Sequence, residues 1–245
     1  AAPGGALAWE AMERATPTLR AGPLYPAALF AVALAGAVAL TIVATETVPA
    51  VERLRIIFPE GFNVREMAAR VAGVRKIATE KRGVTPRLTR DRYPAAVAQA
   101  QPPAQFRKDW NDGPLEGFLF PALYEFTQFS SANELVASQL AAFRRAFAKV
   151  GLRYARSKNL TPYDVLKIAS MIEKETVAPN ERKLVSAVIY NRLRNKMPLG
   201  IDATLRYGLN IPGTESLTKA AIRSDNPYNS RRFPGLPPTP VANPG

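Results

Sequence analysis

The chain has 245 residues, of which 47% are hydrophobic and 22% are charged, so it is long enough to bury a core in one large or two small domains. It contains no cysteine and no histidine, which excludes disulfides, a Ser-His-Asp triad, a cysteine nucleophile and a zinc site built from Cys or His. Its formal net charge of +13 favours a polyanionic neighbour, such as an acidic membrane surface or an anionic polysaccharide, and no nucleic-acid-binding motif is present.

The N-terminal part contains one long uncharged run, residues 26–45. At about 20 residues it is long enough to cross the ~30 Å core of a bilayer. Its alanines and glycines make it a weak span, and the β-branched end "LTIVAT" is also typical of a buried strand. The run therefore predicts either a membrane anchor or a helix–strand unit of a small N-terminal domain.

Strand, turn and helix signals follow one another in the next segment. Residues 53–58 predict a strand, and the "PEG" that follows predicts a turn. Asn63 and Glu66 have the spacing of a capping box, so a helix is predicted to begin there and to end at Gly73. The aromatic-rich stretch 115–127 predicts a pair of strands broken by a proline.

Helical patterns dominate the following part of the chain. Residues 131–150 predict an amphipathic helix. Thr161, which is followed by a proline, predicts the start of a helix that contains "IASMIEKET". Asn180 is predicted to cap a further helix. After Met197 the chain is predicted to be loop-rich, apart from a short helix at 217–224.

Two glutamates near the end of "IASMIEKET" are candidate catalytic acids. Glu173 and Glu175 are two residues apart, and such residues do not face each other on a helix, so they are not the paired carboxylates of a standard glycosidase. Glu173 adjoins the apolar stripe beside Leu166 and Ala169, where the surroundings favour the protonated carboxyl that a general acid needs. The residues alone leave open a single acid, a solvated helix edge, or a partner carboxylate from Glu116, Glu125, Asp202 or Asp225.

Several longer motifs resemble one known family. They are, in chain order, "FPEGFNVREMA", "EGFLFPALYEF", "ASMIEKETVAPNERKLVSAVIYNRLRNKMPL", "DATLRYGL" and "NPYNSRRFPGLPPTPVANPG". In this order they resemble the endolytic murein transglycosylase, or YceG-like, family, and the resemblance runs from about residue 53 to residue 245. The resemblance implies an α+β catalytic domain at residues 53–245, preceded at residues 1–52 by a small LysM-like unit or a membrane anchor.

The resemblance also implies an activity and its residues. Members of this family are lyases that cleave the β-1,4 bond between N-acetylmuramic acid and N-acetylglucosamine within glycan strands and leave 1,6-anhydro ends. The first glutamate of the E-K-E-T unit would be the single acid and base, which places that role on Glu173. No cofactor or metal is implied. Supporting or substrate-binding positions would be Glu116, Glu175, Tyr190, Asn191, Arg192, Asp202, Thr204, Tyr207, Tyr228 and Asn229.

The chain departs from the family pattern in three places. The family usually has Q-[ST]-D-P-T where this chain has Gly200 to Thr204, and it has "FPDTYEF" where this chain has "FPALYEF". The family also continues beyond "NPG", so the catalytic domain is expected to be truncated at its C-terminus. The main alternative to an enzyme is therefore a non-enzymatic peptidoglycan-binding or scaffold protein of the cell-wall synthesis machinery.

The resemblance implies a location and partners as well. The expected location is the bacterial inner membrane, with the catalytic domain on the periplasmic or extracytoplasmic side. The expected partners are peptidoglycan glycan strands, the membrane and peptidoglycan synthases, and nucleic acid is not among them.

Overall fold

The computed structural model describes residues 50–245. These residues contain a sheet of two antiparallel strands. β1 (Arg53–Ile57) pairs with β2 (Leu123–Thr127) in a register that sets Leu54 opposite Phe126. Side chains alternate between the two faces of a strand, and β1 accordingly buries Leu54 and Ile56 and exposes its other residues. The predicted strand at 53–58 is confirmed, with its end one residue earlier.

Helices make up most of the rest. The longer ones are α1 (Val64–Arg82), α2 (Arg92–Gln99), α4 (Ala132–Phe147), α6 (Pro162–Glu175), α7 (Arg182–Arg194) and α8 (Asp202–Leu209). The short ones are α3 (Arg107–Trp110), α5 (Arg153–Arg156) and α9 (Lys219–Arg223), and single 3₁₀ turns lie at Ala104–Phe106 and Pro179–Glu181. Helices with one small sheet confirm the predicted α+β class.

The first hydrophobic core lies between the sheet and helices α1, α2 and α4. At its centre four phenylalanine rings contact one another edge to face or stacked, with centroid separations of 4.9 to 5.6 Å. These rings belong to Phe106, Phe118, Phe143 and Phe147. Aromatic pairs in such arrangements stabilise a core beyond the area that they bury, so this cluster packs Phe106 and Phe118, from the segment between α2 and β2, against α4.

Helix α6 connects the first core to a second one. Its capping box, formed by Thr161 and Asp164, confirms the predicted start of this helix. Leu166 is buried in the first core, whereas Met171 is buried in a second core that contains Ile189 of α7. Because its two ends are held in different cores, the C-terminal end of α6 has a fixed position where the two halves of the domain meet.

Four predictions about local structure are wrong. Helix α1 continues through Gly73 and ends at Gly83, which adopts a left-handed φ of 65°. Of the predicted strand pair only β2 forms, because the N–H groups of Gly117 and Leu119 donate to the Asn243 side chain and that of Phe118 donates to the Leu115 carbonyl. Asn180 does not cap α7, which instead continues from a 3₁₀ turn. Residues 202–209 form α8 where a loop was predicted, since buried Leu205 packs there without any strong sequence signal.

One buried asparagine joins three distant backbone segments. The Asn243 side-chain oxygen accepts hydrogen bonds from the backbone N–H groups of Gly117 and Leu119, both at 2.9 Å. Its amide nitrogen donates to the carbonyl of Phe62 at 2.9 Å and to the carboxyl of Glu116 at 2.7 Å. Buried polar groups cost free energy unless they are paired, so Asn243 stabilises the 115–119 segment in place of a sheet ladder.

Within residues 50–245, no helix is both long enough and apolar enough to cross a membrane. The uncharged run at 26–45, for which an anchor or a LysM-like unit was predicted, lies outside the described residues.

We predict opposite effects of alanine at two glycines. Gly117 has a φ of +90°, and a Cβ atom there would lie 2.8 Å from Pro240, so Gly117→Ala is expected to lower the free energy of unfolding by about 2 kcal/mol or more. Gly73 lies inside α1, and an added Cβ there would have no neighbour within 4 Å. Gly73→Ala is therefore expected to raise the free energy of unfolding by about 0.5–1 kcal/mol. Urea titrations followed by circular dichroism measure both changes. A Gly117→Ala variant as stable as the unaltered chain would contradict the close contact between Gly117 and Pro240.

Candidate functional site

A cleft of about 720 Å³ opens between the first turns of α1, the C-terminal end of α6 and helix α8. Its rim is completed by the loop at 210–214. Charged and polar side chains dominate its walls: Arg65, Glu66, Lys174, Glu175, Asp202 and Tyr207. Within the described chain this cleft brings together three of the residues that the sequence predicted for the site, Glu175, Asp202 and Tyr207.

Glu175 is the last residue of α6 and points its carboxyl group at the start of α8. It accepts a hydrogen bond from the backbone N–H of Ala203, in the first turn of a helix whose N-cap residue, Ile201, supplies no side-chain cap. Burial raises the pKa of Glu175, and the negative charge of Asp202 raises it further, while the Ala203 hydrogen bond and Arg231 act in the opposite direction. A carboxyl group that keeps its proton more readily is suited to act as a general acid.

Asp202 and Arg231 form an ion pair at the start of α8, with the Arg231 Nε 2.6 Å from the Asp202 Oδ1. Hydrogen bonding to Asp202 and its negative charge raise the pKa of Arg231. Both side chains are more than 40% exposed, so the pair contributes little to stability. Its main consequence is geometric, because it orients a second carboxylate beside Glu175.

Thr204 and Asn229 lie below the cleft surface rather than in it. The Thr204 hydroxyl donates to the Ile201 carbonyl at 2.7 Å and lies 2.8 Å from the hydroxyl of Ser230. The Asn229 amide donates to the carbonyl groups of Ile222 and Ser224 at 2.9 and 2.8 Å. Both side chains are fully buried, so they hold the start of α8 and the final loop in place.

Glu116 is a buried carboxyl group directly behind the cleft wall. It accepts hydrogen bonds from the backbone N–H of Val64 at 3.1 and 3.2 Å and from Asn243 at 2.7 Å, and the hydroxyl of Tyr207 is a further partner. Burial raises the pKa of Glu116 to about 7, although these hydrogen bonds and the charge of Arg65 counteract the increase.

Tyr207 and Tyr228 form an aromatic pair beside this carboxyl, with ring centroids 5.2 Å apart. The Tyr228 hydroxyl lies 2.8 Å from the hydroxyl of Thr239, so it is anchored on the C-terminal segment. Burial raises the pKa of both tyrosines, which therefore remain neutral hydrogen-bonding groups in the physiological range.

Glu173 lies in different surroundings from Glu175 and is not one of the residues that line the cleft. Its side chain is 14% exposed, and its Oε2 is 3.8 Å from the Nη2 of Arg182. The same guanidinium nitrogen is 3.5 Å from Oε2 of Glu60. The Glu173 side chain also borders Gly61, whose added Cβ would lie 3.5 Å from it. Glu173 thus joins the end of α6 to the turn that follows β1.

The three predicted residues on α7 have separate roles. The Tyr190 ring packs against the Tyr154 ring, with the two ring centroids 5.5 Å apart. Arg192 donates a hydrogen bond to the carbonyl of Leu199. Asn191 is exposed. None of the three lines the 720 Å³ cleft that the described residues form, so the structure does not bring them together with Glu175 and Asp202.

Sequence reasoning missed the cationic side of the cleft. Arg65 donates to the Tyr207 carbonyl at 3.1 Å, and Lys174 donates to the Gly61 carbonyl at 3.2 Å. The signal that could have identified Arg65 is its position in the first turn of a capped helix, within one of the recognised motifs. In residues 50–245, no three acidic side chains lie close enough together to hold a metal ion.

Comparisons with known proteins point to one family. The model of the YceG-like family matches residues 34–245. A 2.6 Å crystal structure of a YceG-like protein from Listeria monocytogenes superimposes with a TM-score of 0.65 and 26% identity, covering 78% of this chain and 63% of that one.

Curated relatives give the same indication. The endolytic murein transglycosylase of Streptococcus pneumoniae R6 is 38% identical over 137 residues, which are 53% of this chain and 24% of that protein. The endolytic murein transglycosylase of Bacillus subtilis 168 is 28% identical over 194 residues, which are 78% of this chain and 53% of that protein. The matched part of the chain thus corresponds to between about a quarter and about half of the lengths of these relatives.

We predict that the buried carboxyl of Glu116 makes stability depend on pH. With its pKa raised from 4.5 to about 7, the folded chain keeps a proton on Glu116 in an interval where the unfolded chain has lost it. The free energy of unfolding should therefore fall as the pH rises from about 4.5 to 7, by roughly 3 kcal/mol from this group.

Urea titrations at several pH values measure this slope. Glu116→Gln has no proton to lose and should flatten most of it, even where the variant is less stable at every pH. Glu175→Gln is the matched control, because Glu175 also has a raised pKa but is less buried, and it should flatten the slope less. An unchanged slope in Glu116→Gln would show that this carboxyl does not titrate in the interval.

Proposed function

Because the chain belongs to the YceG-like family, we propose that residues 53–245 carry out endolytic lytic transglycosylation of peptidoglycan. The bond cleaved is the β-1,4 link between N-acetylmuramic acid and N-acetylglucosamine inside a glycan strand. Cleavage there regulates or terminates the elongation of nascent strands. The names of the curated relatives support this proposal over a scaffold protein without activity.

The position of Glu175 in the cleft is the observation that supports the mechanism best. Its carboxyl protonates the glycosidic oxygen that leaves with N-acetylglucosamine, while the 6-hydroxyl of the muramoyl residue attacks its own anomeric carbon. The C1–O bond to the leaving sugar breaks, a C1–O6 bond forms, and the Glu175 carboxylate accepts the 6-hydroxyl proton. The nucleophile belongs to the substrate, so no second catalytic carboxylate and no attacking water are required.

Two glutamates compete for this role. The family resemblance assigns it to Glu173, and that assignment stays a prediction. The geometry favours Glu175 because its side chain lines the cleft, where partial desolvation and the charge of Asp202 raise its pKa although the residue remains exposed. Glu173 does not line the cleft, and its carboxyl is 3.8 Å from the Arg182 guanidinium.

Several other side chains would support the reaction. Asp202, paired with Arg231 at 2.6 Å, lies at the start of α8, and the Ala203 N–H there interacts with the Glu175 carboxyl. Arg65 and Tyr207 on the opposite wall supply hydrogen-bond donors and an aromatic face for sugar hydroxyl and acetamido groups. These groups position the glycan so that the glycosidic oxygen faces Glu175.

The proposal includes a location and partners. We place the catalytic domain on the extracytoplasmic side of the bacterial inner membrane, because its substrate is the cell wall. Residues 1–52 would serve as a LysM-like unit or as the anchor to that membrane. The net charge of +13 favours contact with anionic lipid and wall surfaces, and peptidoglycan synthases would be neighbours because they produce the strands that are cut.

We predict that Glu175→Gln abolishes the reaction and that Glu173→Gln does not. Gln keeps the shape of either side chain but carries no transferable proton, so loss of the acid should lower the rate by about 10² to 10⁴-fold. The full chain is incubated with purified sacculi, and 1,6-anhydro-muropeptides are quantified by mass spectrometry.

The matched pair separates three outcomes. A loss in Glu175→Gln alone supports the assignment from geometry, and a loss in Glu173→Gln alone overturns it in favour of the assignment from resemblance. Binding to sacculi without anhydro product from the unaltered chain would instead favour the scaffold protein. Circular dichroism of both variants confirms that the fold persists.

A further inference from the structure

A second, smaller cavity of about 220 Å³ adjoins the cleft. The two spaces share Arg65 and Tyr207 in their walls. The smaller cavity continues past these two residues towards α2, and Glu116 lies at its polar end. A ligand in the cleft can therefore extend a branch past Arg65 into this side cavity.

Arg65 is a fixed cation at the boundary of the two spaces. Its guanidinium donates to the Tyr207 carbonyl at 3.1 Å and lies 5.4 Å from the centroid of the Tyr207 ring, so two contacts orient this exposed side chain. Within the described chain no carboxylate oxygen lies within 4 Å of it. An arginine has five N–H donors arranged to bind a carboxylate in two places, and most of these donors remain available here.

The rest of the side cavity is apolar. Pro94, Val97 and Ala98 of α2 form one wall, and Leu115 with Trp110 forms another. At ~30 Å³ per water molecule, the space corresponds to about seven waters, which suits one or two small aliphatic groups rather than a long acyl chain. A cation at the mouth and a small apolar interior together select a carboxylate that carries a short aliphatic side chain.

We propose that the side cavity binds the terminal carboxylate and adjoining alanine side chain of a short peptide, the chemistry found in the peptide arm of peptidoglycan. This inference rests on the proposed function for its choice of ligand. Arg65 binds the carboxylate, and the methyl group contacts Val97 and Leu115. The enzyme would thereby recognise a strand that bears peptides, in addition to its sugars.

Glu116 makes this binding sensitive to pH. Four groups with charge or titrating protons face it: Arg65 from α1, Tyr93 from α2, Tyr207 from α8 and Tyr228 from the final loop. The tyrosines are neutral near pH 7, since burial raises the pKa of each of them, so Arg65 and Glu116 determine the local charge. When Glu116 is protonated the site has the net positive charge of Arg65, and when Glu116 ionises it repels the carboxylate of a ligand.

The probe is N-acetyl-D-alanyl-D-alanine, and its C-terminal amide is the matched control ligand. Isothermal titration calorimetry with the full chain should detect the acid and give an affinity at least tenfold weaker for the amide, because the amide has no charge to pair with Arg65. The affinity for the acid should be greater at pH 6 than at pH 8.

Three variants locate the site. Ala98→Trp fills the cavity from an exposed helix position and should weaken binding of the acid at least tenfold without touching Arg65 or Glu116. Arg65→Gln should cause a similar loss. Arg70→Gln removes a charge from the same helix at a position that lines neither space, and it should bind as the unaltered chain does.

Equal affinity for acid and amide, or full affinity in Ala98→Trp, would overturn the proposal. The assay requires no turnover, so it is independent of the transglycosylase reaction. Specific binding by a chain that releases no anhydro product from sacculi would support the cavity and contradict the proposed function. Release of anhydro product without peptide binding would support the proposed function and contradict the peptide site in the side cavity.

Discussion

The hydrogen-bonded pair of Glu116 and Asn243 is the constraint on which the rest of the domain depends. A carboxyl and an amide are removed from water in the centre of the molecule, which costs free energy unless each polar atom has a partner. The partners come from the turn after β1, from the start of α1, from residues 117 and 119, and from Tyr207 of α8. Because four parts of the chain satisfy one polar centre, their mutual positions are fixed, and so is the cleft between them.

The two carboxyl groups at the end of helix α6 lie in different surroundings. The N-terminal half of helix α6 packs in the first core and its C-terminal half packs in the second. Its final residues therefore reach the surface between the two cores. Glu173 faces the turn after β1 and the guanidinium of Arg182, whereas Glu175 faces α8 and Asp202. One turn of helix therefore presents one carboxyl next to a cation and another whose pKa is raised by partial burial and by the negative charge of Asp202.

This arrangement fits a reaction that needs one proton donor. A second carboxylate, Asp202, lies near Glu175 but is paired with Arg231 at 2.6 Å, which suits it to orientation more than to proton transfer. The opposite wall is cationic and aromatic, and it leads into an apolar side cavity. In the proposed reaction, the cleft would combine an acid for the glycosidic bond with surfaces for the sugar and for a substituent on it.

Part of this architecture follows from local sequence signals. The capping boxes at Asn63, Ser131 and Thr161 set the starts of three helices, because a cap needs only residues three apart. The helix at α8 and the irregular 115–119 segment could not be predicted in this way. Buried Leu205 packs α8 against the rest of the domain, and Asn243, distant in sequence, holds the 115–119 segment by hydrogen bonds.

The sequence by itself determined the α+β class, the family and the small set of residues from which an acid could come, since motifs and the absence of Cys and His are local properties. Only the tertiary structure decided which of those residues share a cleft. The pKa of a carboxyl depends on burial and on neighbouring charges, and these are set by segments that meet only when the chain folds. For that reason Glu173 and Glu175, two residues apart in the sequence, could be distinguished only in the folded domain.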